Sequence, residues 1–359
     1  MSCSCRVLLA FVLIGSGATA VALCATPPVI TPVAPGSAPT GAAVRVPVGK
    51  PFLGPGVAFP VLKGEYPNGV EALFDLTYAQ ISGYRQLTLD LYRVPAAGPK
   101  PAVVFVHGGS FLSGSPRANT PLWGGTDGLM AYVAAQGFVA VPITYRFSGE
   151  AKWPAQLEDT KAAVRWLRAN ASKYGIDAEH IGVWGESAGA GVASMAGTTC
   201  GVSEFEETGG NPDQSSCVQA AVVWYGVSDM NQLDAQAPAN ATLIHNSPDS
   251  SQSKVLGCVL HYECPASVVT RANPIAYVGP KTSSAAFLIM HGDDDKAVSW
   301  KQSQILYDAL KAKGLPATLK IIPGVDHYFT GATPEQAKAI LDDLVGFLQA
   351  SLAGGGAKH

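Results

Sequence analysis

The pentapeptide Gly185-Glu186-Ser187-Ala188-Gly189 constrains this chain more than any other stretch. An apolar run, Ile181-Gly182-Val183-Trp184, precedes it, and small residues able to wind as a helix follow. A serine between two glycines at a strand-to-helix turn reads as a nucleophile elbow. Such a turn is too tight for side chains at Gly185 and Gly189. It lifts the Ser187 hydroxyl above the sheet edge, against the N-terminus of the next helix. Unpaired N–H groups there welcome developing negative charge. By itself the pentapeptide also fits a glycine-rich turn holding a passive serine, so the rest of the chain has to decide.

The flanking pattern is an alternation of strands and helices. Regular structure is expected from about Leu73, and Leu87 to Tyr92 alternates like an early antiparallel strand. Ala102 to Val106 is a continuous apolar run, as in a strand buried on both faces. Gly137 to Ile143 reads as another strand, ended or bent at Pro142. A helix is expected from about Ala155 to Lys173, with Leu157, Ala163, Val164 and Leu167 near helical spacing. Strands follow at 220–225, 285–290 and 317–322, and helices at 303–313 and 334–350. This alternation predicts an α/β fold, a mainly parallel central sheet flanked by helices. Residues 227–280 are too long for an ordinary strand–helix connection and read as an inserted cap. It is polar in composition, with Asn231, Gln232, Asn240, His245, Asn246, Ser247 and Asp249. The catalytic domain is expected over 61–353.

Ahead of it, Arg6, an apolar core from Val7 to Ile14 and Ala20-Val21-Ala22 form the signature of a signal peptide over 1–25. Cys24 is a weaker candidate for a lipid anchor, because Leu23 is a poor residue before such a site. Residues 26–60, rich in Pro, Ala, Gly and Val, read as a linker. No later run reaches the length of a membrane span. The implied destination is secreted or periplasmic. Of seven cysteines, the mature chain keeps Cys200, Cys217, Cys258 and Cys264. In an exported protein these are a disulfide set, and nearness in sequence favours Cys200–Cys217 and Cys258–Cys264. The net charge of −3, with 14% charged residues, offers nothing to nucleic acid.

A serine hydroxyl needs a base. Among seven histidines, His327 sits after the last strand, on a loop able to swing over the sheet's C-terminal edge. His107 belongs to the glycine loop, and His180 lies at the wrong end of the elbow strand. The base needs a carboxylate to hold its tautomer. His291-Gly292-Asp293-Asp294-Asp295 follows a buried strand. Asp295 and Asp294 are barely separable on sequence, and no ligand set around them suggests a metal. The order Ser…Asp…His is that of α/β hydrolases. The tetrahedral oxyanion needs aimed N–H donors. Ala188 offers one, and Gly108 and Gly109, after the apolar strand, offer others.

The chain resembles α/β-hydrolase esterases of the bifunctional feruloyl/acetyl-xylan type, close to the hormone-sensitive-lipase-like group. The resemblance is carried by His107-Gly108-Gly109-Ser110-Phe111, Trp153 to Asp159, Tyr174-Gly175-Ile176-Asp177, the elbow, Asn273 to Val278, His291 to Asp295 and Gly324-Val325-Asp326-His327. It spans roughly 78–348. It implies Asp295 as the acid, an esterase acting on short acyl or feruloyl esters of plant polysaccharide, and no cofactor or metal. The chain departs from the pattern at Ser110-Phe111, where relatives often carry Gly or an aromatic and then Trp, and in its four cysteines. A peptidase of the prolyl-oligopeptidase kind is the rival on the same fold. Its usual large N-terminal domain has no counterpart in this sequence.

Overall fold

The computed structural model describes residues 62–352, apart from 97, 118–124, 207–208 and 284. The signal-like segment 1–25 with Cys24, and the 26–60 stretch, lie outside the described residues. The described strands are β1 (Lys63–Tyr66), β2 (Val70–Ala79), β3 (Leu87–Arg93), β4 (Lys100–Val106), β5 (Val139–Ile143), β6 (Ile176–Glu186), β7 (Ala220–Trp224), β8 (Ala286–Gly292) and β9 (Ala317–Ile322). They form one sheet in the order β1-β2-β3-β5-β4-β6-β7-β8-β9. Pairing is antiparallel from β1 through β3 to β5. From β5 to β9 it is parallel. The C-terminal ends of β4, β6, β8 and β9 therefore share one edge, where such folds build their sites.

Successive strand residues point to opposite faces, and both faces are apolar. Val104, Val106, Val183 and Val223 join one core. Val103, Phe105, Trp184 and Trp224 join the other. Helices α1 (Thr126–Ala135), α2 (Ala155–Ala169), α3 (Ala171–Tyr174) and α4 (Ala188–Thr198) alternate with the strands. After β7 come three short helices, α5 (Leu233–Gln236), α6 (Ser251–Leu256) and α7 (Ala266–Thr270). Helices α8 (Lys301–Ala312) and α9 (Pro334–Leu352) complete the chain. The first core takes Leu157 and Leu167 of α2, Met195 of α4 and Leu306 of α8. The second takes Met130 of α1 and Leu344 of α9. Each such burial contributes about 1.5–3 kcal/mol.

Local readings need correction in three places. Among the described residues, strand structure begins at Lys63, ten residues before Leu73. Strand β5 runs through Pro142 to Ile143. On its β3 side the paired positions are Ala140 and Ile143, so Pro142 sits at neither rung of that ladder. The helix expected over 155–173 breaks at Asn170, whose side-chain amide donates to the Trp166 carbonyl at 2.9 Å. The short α3 then stops at Gly175, in the left-handed conformation.

Both disulfides pair as nearness in sequence favoured, Cys200 with Cys217 and Cys258 with Cys264. The first closes an excursion after α4 that α2 also grips. The fully buried Lys161 ammonium donates to the Thr199 carbonyl and to Glu206, each at 2.6 Å. Arg168 donates to the Cys217 carbonyl at 2.6 Å. Among the described residues, no helix is long and apolar enough to cross a membrane.

Candidate active site

Ser187 stands between β6 and α4 with φ 51°, a left-handed backbone that L-residues seldom adopt. The two glycines are explained by close approach. A Cβ at Gly185 would lie 2.1 Å from the Gly189 carbonyl oxygen. A Cβ at Gly189 would lie 2.1 Å from that of Val106, on the neighbouring strand. Parallel pairing of Val106 with Gly185 places the glycine loop directly beside the elbow.

His327 Nε2 lies 2.9 Å from Ser187 Oγ, and His327 Nδ1 lies 2.7 Å from Asp295 Oδ2. A carboxylate only accepts, so Nδ1 carries the proton and Nε2 is left to accept from the serine. The three adjacent acids have three different partners. Asp293 accepts from the Gly324 N–H at 2.6 Å. Asp294 pairs with Lys296 at 2.9 Å and is half exposed. Asp295 is buried, and its Oδ1 accepts the N–H groups of Ala297 and Val298, both at 2.8 Å. Burial pushes the Asp295 pKa up, but hydrogen bonds from His291 and His327 outweigh it. They hold the carboxyl well below the usual carboxylate range.

The glycine loop requires a correction. The Gly108 N–H is not open to the cavity. It donates at 3.3 Å to Oε1 of Glu186, a buried carboxylate that takes the nearest donors available. The other Glu186 oxygen accepts the Tyr225 hydroxyl at 3.1 Å. Burial raises the Glu186 pKa, and these bonds only partly offset it. Gly109, at φ 105°, donates its N–H to no protein acceptor among the described residues. Ala188 is the first residue of α4, so its N–H has no intrahelical partner.

Sequence reasoning passed over four contributors. His291 Nε2 donates to the same Asp295 oxygen at 3.0 Å and to the Val298 carbonyl at 2.9 Å. Lys296 joins Asp294 to Asp326, and Asp326 accepts the His327 N–H at 2.7 Å, so the acid and histidine loops are tied together. Tyr328, also in a left-handed conformation at φ 59°, lines the cavity beside Ser187. Glu186 was read only as part of the elbow. The adjacency of Tyr328 to His327 and the spacing of His291 from Asp295 were visible signals; their contacts were not.

The cavity over Ser187 measures about 180 Å³ and is bounded by Phe111, Val227, Leu243, Ala297 and Val298, with His327 and Tyr328. An adjoining groove of about 390 Å³ runs past Leu112, Ile244, Ser247 and Asp249. The 227–280 segment thus reaches the site and is mostly polar there, with Thr242, His245, Ser251 and Gln252 beside Val227 and Leu243. Of the polar residues named from the sequence, His245, Ser247 and Asp249 line the groove, and Asn231, Gln232, Asn240 and Asn246 line neither cavity.

A serine, a histidine and a buried aspartate in this register, on this sheet, are the arrangement of an α/β hydrolase. The BD-FAE family model matches residues 89–310, more than half the chain. The chain belongs to the BD-FAE family. Relatives of this member include the esterase LipQ of Mycobacterium tuberculosis, 26% identical, covering 80% of this chain and 65% of LipQ. The ethyl acetate hydrolase of Pseudomonas putida is 27% identical, covering 79% of this chain and 84% of that protein. A solved structure, a truncated form of a carbohydrate esterase from gut microbiota, superposes with a TM-score of 0.66 at 26% identity, covering 80% of this chain and 99% of that one. This BD-FAE member spans between about half and two thirds of the length of several curated relatives, the M. tuberculosis esterases among them.

Proposed function

We propose that this protein is a carboxylic ester hydrolase working through Ser187, His327 and Asp295. The observation that carries the reading is the unbroken relay from Ser187 Oγ to His327 to Asp295, at 2.9 and 2.7 Å. Ser187 Oγ bonds to the ester carbonyl carbon while its proton passes to His327 Nε2. Asp295 steadies the imidazolium without taking the proton. The N–H groups of Gly109 and Ala188 receive the oxyanion. Collapse expels the alcohol, which leaves with the proton held by His327. Water, activated by the same histidine, then frees the acid and restores Ser187. The reading calls for no cofactor.

The substrates proposed are short acyl or feruloyl esters, carried on plant polysaccharide. Membership of the BD-FAE family and likeness to a carbohydrate esterase support this class. The protein is proposed to act outside the cytoplasm, secreted or periplasmic; the signal-like N-terminus and the two disulfides support it.

The test is a panel of p-nitrophenyl acetate, butyrate, longer esters and methyl ferulate, with a proline anilide as the amide control. Esters are expected to turn over and the anilide to stay intact. Ser187→Ala should abolish ester turnover while remaining folded. Retention of a tenth of wild-type turnover by that variant would remove Ser187 as nucleophile.

A further inference from the structure

The glycine loop supplies fewer open donors than its sequence promised. Among the described residues, with the Gly108 N–H given to Glu186, Gly109 and Ala188 are loop and elbow residues whose backbone N–H groups have no protein acceptor. A side chain stands where the missing donor would be. Tyr328 lines the cavity with Ser187, and its phenol oxygen lies 3.4 Å from where a Cβ on Gly108 would be, a point itself 3.2 Å from Ser187 Cβ. Tyr328 is held there by its neighbours. Its ring packs edge-on to His327 at 4.7 Å and to Tyr225 at 5.7 Å between centroids. Its left-handed backbone, uncommon for a bulky residue, turns the ring back over the elbow.

We propose that the Tyr328 hydroxyl is a third oxyanion donor, a catalytic residue that hydrogen-bonds the substrate carbonyl oxygen as Ser187 attacks. The proposal rests on the ester hydrolase reading above and adds a specific group to it. As the Ser187 Oγ–carbon bond forms, the carbonyl π pair moves onto oxygen. The Tyr328 O–H points its hydrogen at that oxygen and keeps its proton throughout. The only proton that moves is the one from Ser187 to His327, and it leaves with the alcohol. In the resting enzyme Tyr328 shares the cavity wall with Ser187, where a substrate oxygen can become the phenol's partner. Burial, with the nearby Glu186 carboxylate, pushes the phenol's pKa up, so it remains a donor across the working range. A hydroxyl of this kind matters most where water is excluded, and removal of one oxyanion donor costs about 10²–10³-fold in kcat.

The experiment compares wild type, Tyr328→Phe and Ser187→Ala on p-nitrophenyl acetate, with a phenylboronic acid as tetrahedral probe. Tyr328→Phe keeps the ring against Tyr225 and His327 and removes only the O–H. The expected result is a kcat lower by roughly 100-fold with KM changed less than about threefold. The boronate Ki should rise by a similar factor, because the boronate carries the oxyanion and the ground-state ester does not. A purely structural role would not move the boronate Ki while sparing KM. Thermal melting checks that the variant is folded; if it is not, Tyr328→Leu, which also lacks a donor, replaces it under the same criteria. A Phe variant within threefold of wild type in both kcat and boronate Ki overturns the proposal. That outcome leaves the ester hydrolase reading standing, since wild-type turnover lost in Ser187→Ala is read separately.

Discussion

His291 donates from Nε2 to Oδ2 of Asp295 at 3.0 Å, the same oxygen that accepts from His327. His291 is fully buried, and Ser303 Oγ meets its other nitrogen at 2.7 Å, so the ring has no freedom to turn away. Its role is to position the acid. We expect His291→Gln, which keeps a donor, to retain more activity than His291→Leu. The Leu variant should fall about 10- to 100-fold in kcat, as a misplaced catalytic group does. The Asp295 carboxyl itself should titrate higher, because it loses one of the two histidine bonds holding it low. Equal activity of the two variants would show that His291 only fills space.

The acids beside it should behave differently from one another. Asp295→Asn would strip His327 of the partner that sets its tautomer, and kcat should fall by about 10⁴. Asp294 pairs with Lys296 at a half-exposed position, where such bonds are worth about 0–1 kcal/mol. Asp294→Asn should stay within about threefold of wild type. Kinetics on p-nitrophenyl acetate decide this, and a deeper loss in Asp294→Asn sinks the assignment of the acid.

His107 is expected to make the fold sensitive to acid. Burial lowers its pKa to about 4, with the bond to the Gly108 carbonyl opposing only in part. In an unfolded chain a histidine titrates near 6.5. Between about 6.5 and 4 the unfolded chain therefore binds a proton that the native protein refuses. The associated stability is fully present above about pH 6.5 and is lost as pH falls towards 4, a total of roughly 3 kcal/mol. His107→Asn keeps a donor for Gly108 and cannot titrate. Denaturant melts from pH 7 to 4 should show a shallower decline for the variant. Parallel curves for the two proteins would place the acid sensitivity elsewhere.

The disulfides are local staples. Cys200–Cys217 closes a separation of 17 residues and Cys258–Cys264 one of 6. In the chain-entropy account they stabilise by about 3 and about 2 kcal/mol. Lys161 and Arg168 hold the first loop without its disulfide. Reduction is expected to lower Tm by several degrees and to leave ester turnover at room temperature within about twofold. Loss of activity in parallel with thiol release would show that a staple shapes the site.

Acyl selectivity should follow the closed end of the cavity. Each buried CH₂ is worth about 0.8 kcal/mol, but only where there is room for it. A cavity of about 180 Å³ bounded by Phe111, Val227 and Val298 suits a short acyl group. Catalytic efficiency should fall beyond about four carbons, and Val227→Ala should move the limit upward. Point substitutions are the right tool, since Val255, Leu260 and Val269 of the inserted segment belong to the main core and its excision would open that core. Best turnover of long-chain esters by wild type would refute this reading of the cavity.

What the sequence determined by itself was whatever depends on near neighbours along the chain. The need for glycine at 185 and 189 is a property of one turn, and the alternation of apolar runs with amphipathic stretches is enough to imply a parallel sheet. Parallel strands then send their following loops to one edge, so Ser187, His327 and an acid after β8 could be named before any contact was known. Which acid, and which donors, were tertiary questions. Asp293, Asp294 and Asp295 differ little in a string, and they part because Gly324 and His327 arrive from elsewhere, which leaves Asp294 to its near neighbour Lys296. The Gly108 N–H meets Glu186 across 78 residues because β4 and β6 pair in one register and not another. The inserted segment shows the same division: composition counts its polar residues, whereas packing chooses that Thr242, His245 and Gln252, and not Asn231 or Asn240, line the cavity over Ser187. Hydrogen bonds and burial act over a few ångströms, and only the folded chain says which residues are that close.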